Sequence, residues 1–128
     1  MKMNALSPAV LLYQVEGERA GLIDEMCRLE GIRPVHVSPE QENVPVGLLA
    51  GADDWRVPAL MKDLPPAGPV TEEMAVFCGV SEKQLDRIIA RMRAGNAPIS
   101  LKAVLTRQNA VWNGRQLQSA LRAERGGL

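Results

Sequence analysis

Read from the N-terminus, the apolar positions fall into short blocks divided by polar turns. Val10-Leu11-Leu12-Tyr13 is an unbroken apolar run behind Ser7-Pro8, the pattern of a buried strand. From Gly17 to Glu30, the residues Leu22, Ile23, Met26 and Leu29 recur at a spacing that gathers them on one helical face. Gly31 follows, where a left-handed C-terminal cap is expected. Pro34-Val35-His36-Val37 reads as a second strand, apolar at Val35 and Val37. Pro39–Val46 is a polar loop, and Val46–Ala50 is a short apolar run that fits helix or strand. Gly51–Pro69 is irregular, with four prolines, two glycines and Trp55. It reads as a connector with one helical turn at Pro58–Leu64, ended by Pro65-Pro66.

The second half has a sharper pattern. Met74–Phe77 is a strand, and Ser81 followed by Gln84 matches a capping box. Leu85, Ile88, Ile89 and Met92 then mark a helix that closes at Gly95. Pro98–Leu105 reads as a strand, with Ile99, Leu101, Ala103 and Leu105 alternating against Ser100, Lys102 and Val104. After a loop over Thr106–Trp112, Asn113 is placed to cap a last helix, with Gln116 three residues on. Leu117, Ala120 and Leu121 form its inner face, and Gly126-Gly127 ends it.

The halves align with one another. At an offset of half the chain, Tyr13 matches Phe77, Gly31 matches Gly95 and Pro34 matches Pro98. One residue less aligns Leu22, Met26 and Leu29 with Leu85, Ile89 and Met92. Each half therefore reads as a β-α-β unit, which buries one helix face on its sheet. The expected organisation is a single domain over 1–128, with halves at 8–50 and 70–125 and the connector at 51–69. The expected fold is α/β of the α+β kind. It is a ferredoxin-like sandwich with its helices packed on one face of a four- to five-stranded sheet. A small parallel sheet with helices on both faces is the alternative.

Composition narrows the function classes. The 128 residues are 46% apolar and 23% charged, which suits a globular domain and not a disordered one. Tyr13, Trp55, Phe77 and Trp112 are the whole aromatic set, so the core must be aliphatic. Net charge is zero, but residues 1–64 carry six Lys/Arg against ten Asp/Glu, and residues 65–128 carry nine against five. An acidic and a basic half can attract one another within the fold or between two copies. Overall neutrality argues against bulk affinity for nucleic acid or membrane. Cys27 and Cys78 form no Cys-x-x-Cys pair and no metal spacing. They are expected as buried thiols in a reducing, cytoplasmic compartment. The N-terminal residues are too few and too polar for a signal sequence, and no run approaches the roughly 20 apolar residues of a membrane span.

No catalytic, phosphate-cradling or metal-binding motif is present, and no cofactor is expected. His36, the single histidine, is expected as a partly exposed strand residue. An enzyme would have to work through it or through Cys27 or Cys78. The neighbouring carboxylates Asp24-Glu25, Asp53-Asp54 and Glu72-Glu73 diverge on any regular element and are expected as solvated surface. Two features remain as candidate sites. Lys83, Arg87 and Arg91 recur every fourth residue, forming a basic stripe on one helix face suited to an acidic partner. Lys102, Thr106, Arg107, Asn109, Trp112 and Asn113 surround a strand-to-helix loop, a place where helix amides meet anions and where Trp112 offers a stacking face.

The second half also resembles a bacterial domain-of-unknown-function family, number 3783. The resemblance rests on Glu73-Met74-Ala75-Val76-Phe77, Ser81-Glu82 with Leu85-Asp86, and Leu101 through Thr106, then Asn109, Trp112 and Gln116-Leu117. The first half shares only the strand-helix-strand outline, since Gln41-Glu42-Asn43-Val44 lacks the Thr and the Trp. The resemblance implies a fold and a bacterial origin but no activity. The expected function is a non-enzymatic protein-interaction or oligomerisation module, acting as a homodimer or with another protein. The alternative is a regulatory domain that binds a small anionic or nucleotide-like ligand at Thr106–Asn113.

Overall fold

The computed structural model describes residues 7–51 and 68–126. The helical turn expected at Pro58–Leu64, Trp55 and the Asp53-Asp54 pair lie outside them. Among the described residues four strands and four helices run in the order β1 (Ala9–Tyr13), α1 (Gly17–Leu29), β2 (Arg33–Val37), α2 (Val46–Leu49), β3 (Met74–Cys78), α3 (Glu82–Ala94), β4 (Leu101–Val104) and α4 (Gly114–Gly126). Short 3-10 turns stand at Pro39–Gln41 and Asn109–Val111.

The strands form one sheet in the order β2-β1-β3-β4. β1 is parallel to β2 and β3 is parallel to β4, while β1 and β3 run antiparallel with Leu11 opposite Val76. This is the expected mixed α+β sandwich built from two β-α-β units. Each unit is unsplit, its two strands being direct neighbours, and the units join back to back through β1 and β3.

Every residue of β1 and β3 is buried. Alternate side chains point to opposite faces, so both faces of the sheet centre are apolar and both need cover. Val10, Leu12, Ala75 and Phe77 pack under α1 and α3, against Ile23, Met26, Ile88 and Met92. Leu11, Tyr13, Met74 and Val76 pack on the other face, against Val46, Ala110 and Leu117. The crossover helices thus share one face as expected. The opposite face, which that expectation left bare, is covered by α2 and α4.

The phase of α1 differs from expectation. Ile23, Met26 and Cys27 are its buried residues, while Leu22 and Leu29 are 43% and 61% exposed. Through the first strand, the helix and the turn after it, the two halves correspond at an offset of 65 residues, and their second strands at 68, where 64 and 63 were expected. Gln14 and Gly79 both take positive φ, as do Gly31 and Asn96. Ile23 and Cys27 then match Ile88 and Met92, the buried residues of α3. Gly95 is not the left-handed residue, since its φ is −85°. It packs against the Met26 methyl of α1, which would have to move aside for a Cβ there.

Both outer strands are short, and the edge of β2 is blunted. Arg33 donates its amide to Pro8, so Arg33 faces β1 and Pro34 faces outward, where its missing N–H falls on the open edge. Charge joins the two halves across the helical layer. The Glu30 carboxylate accepts from Arg87 at 2.8 Å and from Arg91 at 2.7 Å, and the Glu30 carbonyl accepts from the Gln84 amide. Arg19 donates to Glu73 at 2.6 Å and to the Pro98 carbonyl at 2.9 Å. The hydrogen bonds from Arg87, then from Arg91, hold the Glu30 carboxyl below its usual range. A depressed carboxylate stabilises the fold above its unfolded pKa and loses that contribution as pH falls through the folded value. Glu30→Gln should therefore flatten the acid side of the stability curve. Urea midpoints of the wild type should drop more steeply than those of the variant between about pH 5 and pH 2.

Candidate functional site

The region from β4 to α4 is built around a strand edge. Leu105 donates its amide to the Phe77 carbonyl at 2.9 Å. Residues 101, 103 and 105 therefore turn their backbone groups toward β3, and Lys102 and Val104 turn theirs to the open edge. The edge is closed at one end by Asn109, whose Nδ2 donates to the Val104 carbonyl at 3.1 Å. Asn109 also accepts from the Thr106 amide at 2.9 Å and donates its own amide to the Thr106 hydroxyl at 3.1 Å. This reciprocal pair shapes the loop into the turn at Asn109–Val111. Asn113 and Gln116 form a second reciprocal pair, each side-chain oxygen accepting the other's amide at 2.9 Å, and so cap α4.

The start of α4 is seated closely on the sheet. A Cβ on Gly114 would lie 2.7 Å from the Tyr13 ring, and one on Gly47 would lie 2.8 Å from the Ala110 Cβ. The Trp112 carbonyl accepts from the Val46 amide at 2.8 Å. Two surfaces diverge from this seat, the β4 edge and the flank of α4. Between them lies an open groove of about 340 Å³, lined by Ala103, Val104, Trp112, Leu117, Ala120 and Leu121, with Lys102, Thr106, Gln108, Asn109 and Glu124 around it. Val104 is 45% exposed, one of three exposed large apolar residues among the described residues.

The six residues expected here separate into two groups. Lys102, Thr106, Asn109 and Trp112 line the groove. Arg107 and Asn113 do not, because Arg107 is exposed on the loop and Asn113 is buried under the helix it caps. The polar groups of Thr106, Asn109 and Asn113 are spent on the loop's own backbone. Lys102 donates to the Ile99 carbonyl at 2.7 Å. The basic stripe is also partly engaged, since Arg87 and Arg91 turn to Glu30 while Lys83 stays exposed.

Sequence reasoning missed the apolar lining. Its signal was Val104, a β-branched residue on the outward phase of an edge strand. It also missed a second cleft of about 370 Å³ at the carboxyl ends of β1 and β2, lined in part by Gln14, Glu16, His36 and Glu42. Glu42 is only 4% exposed and accepts from the Val70 amide at 2.9 Å and from Gln14 at 3.0 Å. No local pattern marks it, because the acid looks like any other in a polar loop. His36 meets Asp24 at 2.7 Å. Glu72 and Glu73 diverge as expected, to Arg122 and to Arg19. Cys27 and Cys78 are buried free thiols, and burial above all pushes them up to about 11 and about 12. Among the described residues no cluster of three or more His, Cys, Asp or Glu is placed to hold a metal ion, and no helix is long and apolar enough to cross a membrane.

The comparison with known families falls on the span that builds this groove. Residues 73–126 match the family model described as Domain of unknown function (DUF3783). The DUF3783 match runs from β3 through α4, so it holds the whole groove and leaves the cleft by His36 outside. No curated protein and no solved structure matches the chain.

Asn109→Ala removes one buried side chain that serves two backbone groups, Thr106 N–H and Val104 C=O. It should cost about 1–3 kcal/mol in urea unfolding, more than Thr106→Ala, which removes one exposed partner.

Proposed function

We propose that this domain is a non-enzymatic protein-interaction module whose binding surface is the groove between β4 and α4. The reading rests chiefly on one observation: the open edge of β4 leads straight into an apolar groove that lies wholly within the DUF3783 match. An extended segment of a partner can pair with the backbone of Lys102 and Val104, adding a strand to the sheet. Alternate side chains of that segment would then rest on Trp112 and Leu121. The Asn109–Val104 bond marks where the added strand must leave. The unbridged thiols suit a reducing, cytoplasmic setting, and the DUF3783 resemblance suits a bacterial one.

A small anionic ligand is the second reading. In its favour, Trp112 lies on the groove with Lys102 and Gln108 beside it. Against it, the hydrogen-bonding groups of Thr106 and Asn109 already have partners within the loop. A fluorescence change of Trp112 with phosphate or ATP, followed in a Trp55→Phe background, is its signature.

Selection of displayed random peptides on the immobilised domain tests the leading reading. Peptides with apolar residues at alternate positions should be enriched, and Val104→Asp should weaken their binding tenfold or more. A panel that binds wild type and Val104→Asp equally well would refute it.

A further inference from the structure

The helical face of the sheet carries a second surface, remote from the groove. We infer that two copies of the chain pair through it, each laying α1 on the α3 of the other. The first observation is charge. From β1 through the turn at Pro39–Gln41, exposed Glu16, Glu18, Glu25 and Glu40 outnumber exposed Arg28 and Arg33. From β3 through β4, exposed Lys83, Arg87, Arg91 and Arg93 outnumber exposed Glu82 and Asp86. The sheet order sets these units side by side, so the molecule has an acidic flank and a basic flank. A two-fold contact places each flank against its opposite, twice over.

The second observation is the exposed pair on α1. Leu22 and Leu29 stand seven residues apart, two turns along one side of the helix, and among the described residues are two of the three exposed large apolar ones. The facing side of α3 is low, with Ala90 and Ala94 exposed. Contacts within the chain set the relative level of these antiparallel helices, since Glu30 bonds Arg87 and Met26 abuts Gly95. A two-fold axis parallel to the helices keeps those levels. It therefore carries Leu29 of one copy to about the level of Ala90 in the other, and Leu22, about 10 Å along the helix, to the turn just past Ala94. Glu25 arrives near the arginines of α3.

Sedimentation and light scattering of the full chain, from about 10 μM to 1 mM, test this. The expected result is a dimer that weakens as salt rises, because the steering charges are exposed. Leu29→Asp, Leu22→Asp and Ala90→Glu should each weaken dimerisation tenfold or more, with circular dichroism unchanged. Val104→Asp should leave it intact, which separates this surface from the groove. A monomer across the whole range overturns the proposal. So does a dimer indifferent to the three helix substitutions, or one lost through Val104→Asp.

Discussion

The antiparallel pairing of β1 with β3 is the joint on which the other elements depend. Five residue pairs from Ala9–Cys78 to Tyr13–Met74 bring the two β-α-β units into one sheet. Both strands are buried along their whole length, and a strand with two buried faces requires a layer on each side. The crossover helices α1 and α3 supply one layer. The chain must supply the other from its loops and its C-terminal end, which is what α2 and α4 do. The groove follows from this arrangement, because α4 covers the sheet only as far as β4 and leaves the outer edge of that strand open.

Polar contacts then pin the halves at three further points. On the helical face Glu30 lies between Arg87 and Arg91, and Arg19 reaches Glu73. On the other face Glu42 holds the Val70 amide and receives the Gly114 amide on its carbonyl. Within the second half, Gln118, fully buried, accepts from the Thr71 amide and donates to its hydroxyl. Each contact links residues far apart in sequence. The charge asymmetry of the chain is therefore used in part within the fold, and what remains at the surface sets the acidic and basic flanks.

How much of this was legible depended on whether the signal was local. The strand runs at Val10–Tyr13 and Met74–Phe77, the capping boxes at Ser81 and Asn113, and the left-handed Gly31 are local, and all were readable. The phase of α1 was not. Its sequence offers two apolar sets, Ile23-Met26-Cys27 and Leu22-Leu29, and only packing against β1 and Met92 selects the first. Gly95 closes its helix as the sequence suggested, while the left-handed turn falls one residue later at Asn96. At the groove, Trp112, Lys102 and Asn109 were identified as site residues from their chemistry. Their division into lining and scaffold depends on hydrogen bonds to loop amides. Glu42 and Gln118 gave no signal, since a buried polar residue is recognised by its partners and those are distant in the chain.

Native-state hydrogen exchange followed residue by residue tests the account most directly, because it asks whether the β1–β3 joint makes one body of two units. The amides of β1 and β3 should share the highest protection. Those of α1 and α3 should exchange at a common free energy, with denaturant lowering both halves together. Exchange of the first unit at a markedly lower free energy than residues 73–126, with β1 opening while β3 stays protected, would contradict it.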